Sequence, residues 1–288
     1  MDFKDIKKMI IKFWKTDNSK IAVIRDISVA LLAVFIILLL LWSYTGQWFS
    51  APIVAIESGS MEHTPPVFPK EPPFGRIGTI DAGDMVLVQK VNNRNDVVVH
   101  GGDYGGSQAR NGWKSYGDYG DVIVFLPDGN KKMTPIIHRA MCWVEIGSYN
   151  GQKTYTIKEF GIFNETSIGS IPELGFYTDD PIKPNWAHSG FLTKGDHNDL
   201  FDNLPNSGIR ESTQPIKIEW ISGKARLEIP WFGTINLFFS DILNGTNNVG
   251  NVHQDCLICL FIIIALIVLI PILLDIKDYL KQNNKDKT

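Results

Sequence analysis

The chain has 288 residues, a formal net charge of −3 and a hydrophobic content of 44%. This composition excludes a disordered chain, and the slight acidity gives no reason to expect nucleic acid as a partner, because nucleic-acid-binding domains usually carry a basic surface. Of the three cysteines, only Cys142 lies in the middle of the chain. The central domain therefore contains no internal disulfide and depends on core packing.

Two apolar runs lie near the ends of the chain, at 27–44 and 256–274. Each is close to the roughly 20 residues that a helix needs to cross a bilayer. The first run is longer than the apolar region of a cleavable signal peptide, and Trp, Tyr and Gln follow it in place of small residues. We predict that both runs are transmembrane helices and that the first is a retained anchor.

Basic residues outside the two runs predict the orientation of the chain. They concentrate in the N-terminal tail, 1–26, and in the C-terminal tail, 275–288. The positive-inside rule therefore predicts two cytoplasmic tails in a multi-pass protein of the cell membrane, with 45–255 on the extracytoplasmic side. Glycosylation triplets at Asn164 and Asn244 agree with this placement without establishing it.

The segment 45–255 is predicted to be a β-rich domain. Its short β-branched or alternating runs are bounded by Gly, Pro, Asn and Asp, and no long stretch has a helical period. Predicted strands lie at Ile53–Glu57, Met85–Val91, Val122–Leu126, Ile136–Glu145, Thr154–Lys158, Phe191–Lys194, Ile216–Ile221 and Lys224–Ile229. Three of them adjoin a Gly-Asp pair, which is a turn signal and predicts hairpin corners.

Two stretches are predicted to be insertions into this domain, near 92–120 and near 161–189. The first is rich in Gly, Asn, Tyr and Asp and is expected to be a surface loop with a short hairpin at Asp96–His100. A third unusual segment, Ile229–Phe239, is strongly apolar and aromatic. It is either a core hairpin or a patch that dips into the membrane.

The chemistry that the sequence offers starts with a serine turn just beyond the first apolar run. Ser58-Gly59-Ser60 ends a predicted strand, and glycine there allows the backbone to turn sharply. A serine exposed at such a turn becomes nucleophilic only when a base accepts its proton. Without such a base, the motif is an ordinary turn with no catalytic role.

Two further patterns could supply that base and its partner. His138 lies in an otherwise apolar strand, where it is either a general base or a structural histidine whose ring nitrogens have hydrogen-bond partners. After the strand that ends near Lys194, Asp196, Asp199 and Asp202 could orient such a histidine. His188 and His197 nearby raise the alternative of a metal site, but no recognised ligand spacing is present, and we predict no metal.

Four ordered boxes make the chain resemble a known family. They are Ser58-Gly-Ser-Met-Glu62, Gly120-Asp-Val-Ile-Val-Phe125, Pro135-Ile-Ile-His-Arg139 and Phe191-Leu-Thr-Lys-Gly-Asp196. Together they resemble the motifs of type I signal peptidase in its archaeal and endoplasmic-reticulum branch, which uses histidine where the bacterial branch uses lysine. The resemblance extends from Trp42 to about Phe232. It implies a signal-peptidase-like serine protease domain between the two spans.

The resemblance also implies roles for individual residues. Ser60 would be the nucleophile and His138 the base. Two aspartates match the family pattern, with Asp202 favoured as the third triad member and Asp196 as a supporting residue. The chain departs from the pattern at His197, where the family usually has Asn, and at His63, where it usually has Pro; these changes affect loop geometry more than chemistry.

A Ser-His-Asp protease of this kind needs no cofactor. Its oxyanion donors are expected to be the Ser60 backbone N–H and the Ser58 hydroxyl. The implied partners are the signal peptides of exported preproteins, the lipid bilayer and the protein translocation channel. Two alternatives stay open: a membrane-anchored binding or assembly protein without catalysis, and a related protease that processes the precursors of surface structures.

Overall fold

We describe a computed structural model of the chain. It describes Trp14 and residues 18–48, 51–63, 74–100, 113–171, 177–204 and 213–285. The chain divides into two compact units, Met1–Pro52 and Ile53–Thr288.

The first unit contains a single described helix, α1, at Ser19–Thr45. The side chain of Asn18 caps its N-terminus by accepting a hydrogen bond from the Lys20 backbone N–H, and Gly46 ends it in the left-handed conformation. Its apolar residues surround the whole helix, and none in the most apolar window is buried. The predicted span, 27–44, lies inside α1.

The second unit is built on antiparallel strands. They are β1 (Ile53–Ala55), β2 (Met85–Gln89), β3 (Lys114–Ser115), β4 (Asp118–Tyr119), β5 (Val122–Phe125), β6 (Ile136–Tyr149), β7 (Gln152–Ile157), β8 (Ile162–Glu165), β9 (Gly190–Lys194) and β10 (Ile221–Ile229). Eight form one sheet in the order β1-β2-β10-β5-β6-β7-β8, with β9 also paired to β6, while β3 and β4 form a separate hairpin. The predicted mainly β class is confirmed at this level.

Both faces of the central strand β5 are covered, since all four of its residues are buried. Ile123 and Phe125 pack in one cluster with Phe191, while Val122 packs in another with Met61. A continuous apolar run is typical of a strand buried on both faces. This double covering fixes the position of β6, which pairs with β5 and carries His138.

Seven of the eight predicted strands are present with shifted ends, but the one at Ile216–Ile221 is wrong. Ile216 makes a single bridge to Phe191, and a 3₁₀ helix at Ile218–Trp220 then turns the chain into β10. Ile216 is fully buried. Its apolar side chain therefore anchors the core at one point rather than continuing a ladder.

The first predicted insertion is only partly a surface excursion where it is described, since Asn93 and Trp113 are exposed but other residues are buried. Val97 and Val99 are buried in the core, and a 3₁₀ helix at Arg94–Asp96 replaces the expected hairpin. The carboxylate of Asp96 accepts hydrogen bonds from two preceding backbone N–H groups, which closes a turn instead of a strand pair. Residues 101–112 of this insertion lie outside the described part.

The second predicted insertion also contributes to the core. It contains β8, and Ile168 and Trp186 are buried in a cluster with Tyr155 of β7. The Trp186 indole N–H donates to the backbone oxygen of Asn203. The irregular spacing of this segment thus reflects a packed loop, of which residues 172–176 are not described.

The core hairpin considered for Ile229–Phe239 is wrong, because the chain turns after β10 into helix α2 at Gly233–Asn244. Asp84 Oδ1 accepts the Trp231 backbone N–H, and a side chain at Gly233 would collide with the Asp84 carbonyl. The carboxylate and the close backbone approach therefore fix the turn.

A third helix, α3, follows at Gln254–Lys285 and includes Pro271. It contains the predicted span at 256–274. The lengths and compositions of α1 and α3 would allow either to cross a membrane, which suggests membrane association.

Candidate active site

The Ser60 loop follows β1 and turns tightly. The Glu62 backbone N–H donates to the Gly59 carbonyl over 3.1 Å, and the Ser60 carbonyl accepts the His197 backbone N–H over 3.0 Å. A Cβ at Gly59 would lie 2.5 Å from the Glu62 carboxylate, so a side chain at this position would displace that carboxylate. The loop therefore holds Ser60 half-buried, against the turn that follows β9.

His138 faces this serine from β6. Its partner across the ladder is Ile123 of β5, and the His138 side chain is nearly inaccessible to solvent. His138 Nε2 lies 2.9 Å from Ser60 Oγ. This is hydrogen-bond distance for a nucleophile and its base.

Asp202 completes the chain of hydrogen bonds. Its Oδ2 lies 2.6 Å from His138 Nδ1, and it also accepts the Thr193 hydroxyl over 2.7 Å. When Asp202 is ionised it can only accept hydrogen bonds, and the proton of this contact then belongs to His138 Nδ1. In the neutral ring, Nε2 is then left as the acceptor for the Ser60 hydroxyl. Asp202 is fully buried, so its orientation is fixed by these contacts.

Gly195 allows these parts to come together. A Cβ at this position would lie 2.5 Å from the Ser60 carbonyl oxygen and 2.9 Å from His138 Nε2. Any larger residue would push apart the nucleophile loop and the base. The Lys-Gly-Asp box therefore needs glycine for close approach and not only for a turn.

Asp196 lies in a different network. Both of its carboxylate oxygens accept from Arg139, at 2.7 and 2.5 Å, and Oδ2 also lies 2.7 Å from His63 Nε2. Burial opposes ionisation of Asp196, but the adjacent Arg139 guanidinium holds the pKa of Asp196 below its usual value. Asp196 supports the site by tying β6 to the segment just after Ser60.

Arg139 extends this network into the β3–β4 hairpin. Its Nη1 donates to the backbone oxygens of Ser115, Tyr119 and Gly120. Beside it, Asp118 pairs with His100, and although burial would raise the pKa of Asp118, these neighbouring charges and hydrogen bonds lower it to about 2. Arg139 is the last residue of the Pro135–Arg139 box, but its sequence pattern did not indicate this role.

The remaining predicted site residues are not part of the hydrogen-bonded triad. Ser58 and Asp199 are exposed. His188 Nδ1 contacts the Ser189 carbonyl, and its ring packs edge-on against Trp220. The oxyanion role of Ser58 therefore stays a prediction.

A cluster of acidic side chains lies beside the Ser60 loop. Burial, and then the charge of Asp84, raises the pKa of Glu228 to about 8. Burial likewise raises the pKa of Asp84 to about 7, although backbone N–H groups of Trp231 and Asp81 donate to it. Its position among two further carboxylates, Glu62 and Asp81, adds to this effect.

One group in the described residues has the spacing of metal ligands. Ligand atoms of Glu62, Asp81 and His253 lie within 4.8 Å of one another. We assign no ion to this group, because Glu62 pairs directly with His253 and the Thr79 hydroxyl donates to Asp81. It is also separate from the Asp-rich loop for which a metal was considered from the sequence.

Comparison with protein-family models gave no match, and comparison with curated proteins gave no significant match. The functional argument therefore depends on the site itself.

Proposed function

We propose that this protein is a membrane-anchored serine endopeptidase that removes signal peptides from exported preproteins. The observation that carries the proposal is the continuous hydrogen-bonded chain from Ser60 Oγ through the His138 ring to Asp202 Oδ2. A serine with a histidine base and an orienting carboxylate is the arrangement that activates a hydroxyl for acyl transfer.

In the proposed reaction, Ser60 Oγ attacks the scissile carbonyl while His138 Nε2 accepts the hydroxyl proton. Asp202 stabilises the imidazolium that forms, because it already accepts the Nδ1 proton. His138 then gives its proton to the leaving amine, which leaves an acyl-enzyme on Ser60. A water molecule, deprotonated by His138, hydrolyses this ester and restores the serine.

The tetrahedral intermediate also needs donors for its oxyanion. The Ser60 backbone N–H and the Ser58 hydroxyl are the proposed pair. The Gly59 carbonyl, which shares a peptide group with the Ser60 N–H, accepts the Glu62 backbone N–H, and this contact limits rotation of that peptide group. Preorganised donors contribute most when they do not have to reorient during the reaction.

The substrate class follows from the family resemblance and from the two apolar helices. The basic residues that flank the apolar runs 27–44 and 256–274 favour an extracytoplasmic site, on the side where exported chains emerge. His253, which pairs with Glu62 of the nucleophile loop, immediately precedes α3. A protease whose nucleophile lies so close to a membrane helix suits cleavage sites that are themselves near the bilayer.

The test is cleavage of a membrane-inserted preprotein by the full-length chain and by Ser60→Ala and His138→Ala. Ser148→Ala and His188→Ala are matched controls; Ser148 is exposed on β6, and His188 bonds only its own loop in the described contacts. We expect cleavage after a small-x-small sequence, lost in both site variants and kept in both controls. Retained cleavage by folded Ser60→Ala would contradict the serine mechanism, and inactive wild-type protein would favour the binding-protein alternative or a missing subunit.

A further inference from the structure

Helix α2 has one face buried against the rest of the unit and one face without a partner in the described chain. Leu237 is fully buried in a cluster with Cys256 and Leu260, which belong to the first two turns of α3. The other face is exposed, with fractional exposures from 53% to 81%. Its large side chains are Phe238, Phe239, Ile242 and Leu243.

The only charged residue of α2, Asp241, does not make this face polar. Its carboxylate accepts hydrogen bonds from the Thr246 hydroxyl and from the backbone N–H groups of Asn248 and Val249. Asp241 thus closes the turn after the helix. The exposed face keeps a contiguous apolar and aromatic surface.

A second exposed apolar segment reaches the same turns of α3 from another part of the chain. Phe74 and Ile77 are both more than half exposed and flank Gly75. The Gly75 backbone N–H donates to Asp255 Oδ2 over 3.0 Å, and its position is so close to α3 that a Cβ there would lie 2.9 Å from Cys259 Sγ. These two residues and the four on α2 are called the apolar collar.

The collar therefore adjoins the start of α3, one of the two described helices that are apolar enough to cross a membrane. The first turns of a membrane-spanning helix lie at the boundary between headgroups and acyl chains. Elements packed on those turns lie at the same depth. Exposed Phe, Ile and Leu at that depth are stabilised by acyl chains, whereas water would leave a large apolar patch uncovered.

We propose that the apolar collar enters the interfacial layer of the bilayer that α3 crosses, with α2 lying along the membrane surface. The continuity between the collar and the exposed apolar surface of α3 selects lipid as its partner. The second unit is thereby held against the membrane by two segments that pack on the first turns of α3. This inference depends on α3 spanning the bilayer and is independent of the proposed protease activity.

The experiment measures the depth of spin labels on the full-length chain in phosphatidylcholine–phosphatidylglycerol vesicles. Labels are placed at Phe239→Cys and, as a second collar site, at Leu243→Cys. Leu269→Cys on α3 reports insertion of the span, and Phe163→Cys is a matched exposed phenylalanine on β8, at the other end of the sheet from β1. The unsubstituted chain gives the background from the three native cysteines.

For each spin label, the rate of collision with oxygen, which concentrates in lipid, is compared with the rate of collision with a water-soluble nickel chelate. We expect both collar labels and the Leu269 label to favour oxygen, and the Phe163 label to favour the chelate. Collar labels that behave like the Phe163 label would overturn the proposal. Collar labels shielded from both reagents would also overturn the proposal, because they would indicate a covering protein or second copy. A chelate-accessible Leu269 label would overturn it too, because it would show that α3 does not span the bilayer.

Discussion

Glu62 Oε2 lies 2.9 Å from His253 Nε2. Glu62 is two residues beyond the proposed nucleophile and is almost completely buried, while His253 is the residue before α3. The Asn251 side-chain amide adds a second link by donating to the Glu57 carbonyl. The C-terminal helix is therefore attached directly to the loop that carries Ser60, although nearly 200 residues separate them in sequence.

His253→Ala should lower kcat about 10-fold to 100-fold with little change in KM, because small displacements of a reacting group have effects of this size. It should also reduce stability by about 1–3 kcal/mol, since the buried Glu62 carboxylate loses its partner. Steady-state kinetics and thermal unfolding measure the two effects. His188→Ala serves as the control, and equal kcat values for the two variants would contradict a positioning role.

Asp202→Asn should lower kcat by about 10³-fold to 10⁴-fold without unfolding the protein. An amide NH₂ facing His138 Nδ1 would favour the tautomer with its proton on Nε2, which cannot accept the serine proton. Asp199→Asn, an exposed aspartate in the same loop, is the matched control and should retain full activity. Comparable activity of the two variants would remove Asp202 from the triad.

Ser58→Ala should lower kcat/KM by about 10²-fold if its hydroxyl stabilises the oxyanion. The measurement requires substrate below saturation, so that it reports transition-state binding. Ser148→Ala should have no effect. Unchanged turnover in Ser58→Ala would exclude the hydroxyl and leave the Ser60 backbone N–H as the proposed donor.

Asp196→Asn should destabilise the protein by about 3–5 kcal/mol, because it leaves Arg139 buried without its counter-charge. The double variant Arg139→Met/Asp196→Leu should lose less stability than the sum of the losses in its two component variants, Arg139→Met and Asp196→Leu, since it removes both buried charges. Denaturant unfolding measures these differences. Additive losses would mean that the pair is not coupled as its 2.5 Å contact indicates.

Stability should fall as pH rises from about 4.5 to 8, through titration of Glu228. Its pKa in the folded protein is raised from 4.5 to about 8, so in this window the native state binds the proton that the unfolded state releases. The limiting slope is about 1.4 kcal/mol per pH unit for one proton, and partial exposure of Glu228 reduces it. Glu228→Gln should flatten the profile of thermal unfolding against pH. An unchanged profile would contradict the raised pKa.

The sequence identified the residue types of the candidate triad because each occurs in a local pattern: a serine turn, a histidine in an apolar strand and an aspartate-rich loop. Apart from Asp196, it did not identify the supporting residues. Arg139, Thr193 and His253 owe their roles to partners nine or more residues away in sequence. No local spacing signals such a partner.

The Gly-Asp pairs show the same difference between a local sequence signal and a distant hydrogen-bond partner. They predict hairpin corners, and Gly83 and Gly120 do have positive φ. However, β4 and β5 on either side of Gly120 do not pair with each other, and neither do β9 and β10 on either side of Gly195. The buried carboxylates that follow have a further function: Asp84 holds the Trp231 turn, and Asp121 accepts from the Val98 backbone N–H and the Trp113 indole N–H. A turn signal predicts the local bend but not the distant donor.

By itself, the sequence determined the mainly β class, the two long apolar helices and the position of most strands, because alternation, turn residues and unbroken apolar runs are local properties of the chain. Tertiary structure alone decided that Ile229–Phe239 leads into a helix with an exposed apolar face and that Val97 and Val99 enter the core. It also brought Asp202, which the family resemblance favours over Asp196, to His138. These outcomes depend on which buried donors and acceptors meet across the sheet, and only the folded chain brings those groups within hydrogen-bond distance.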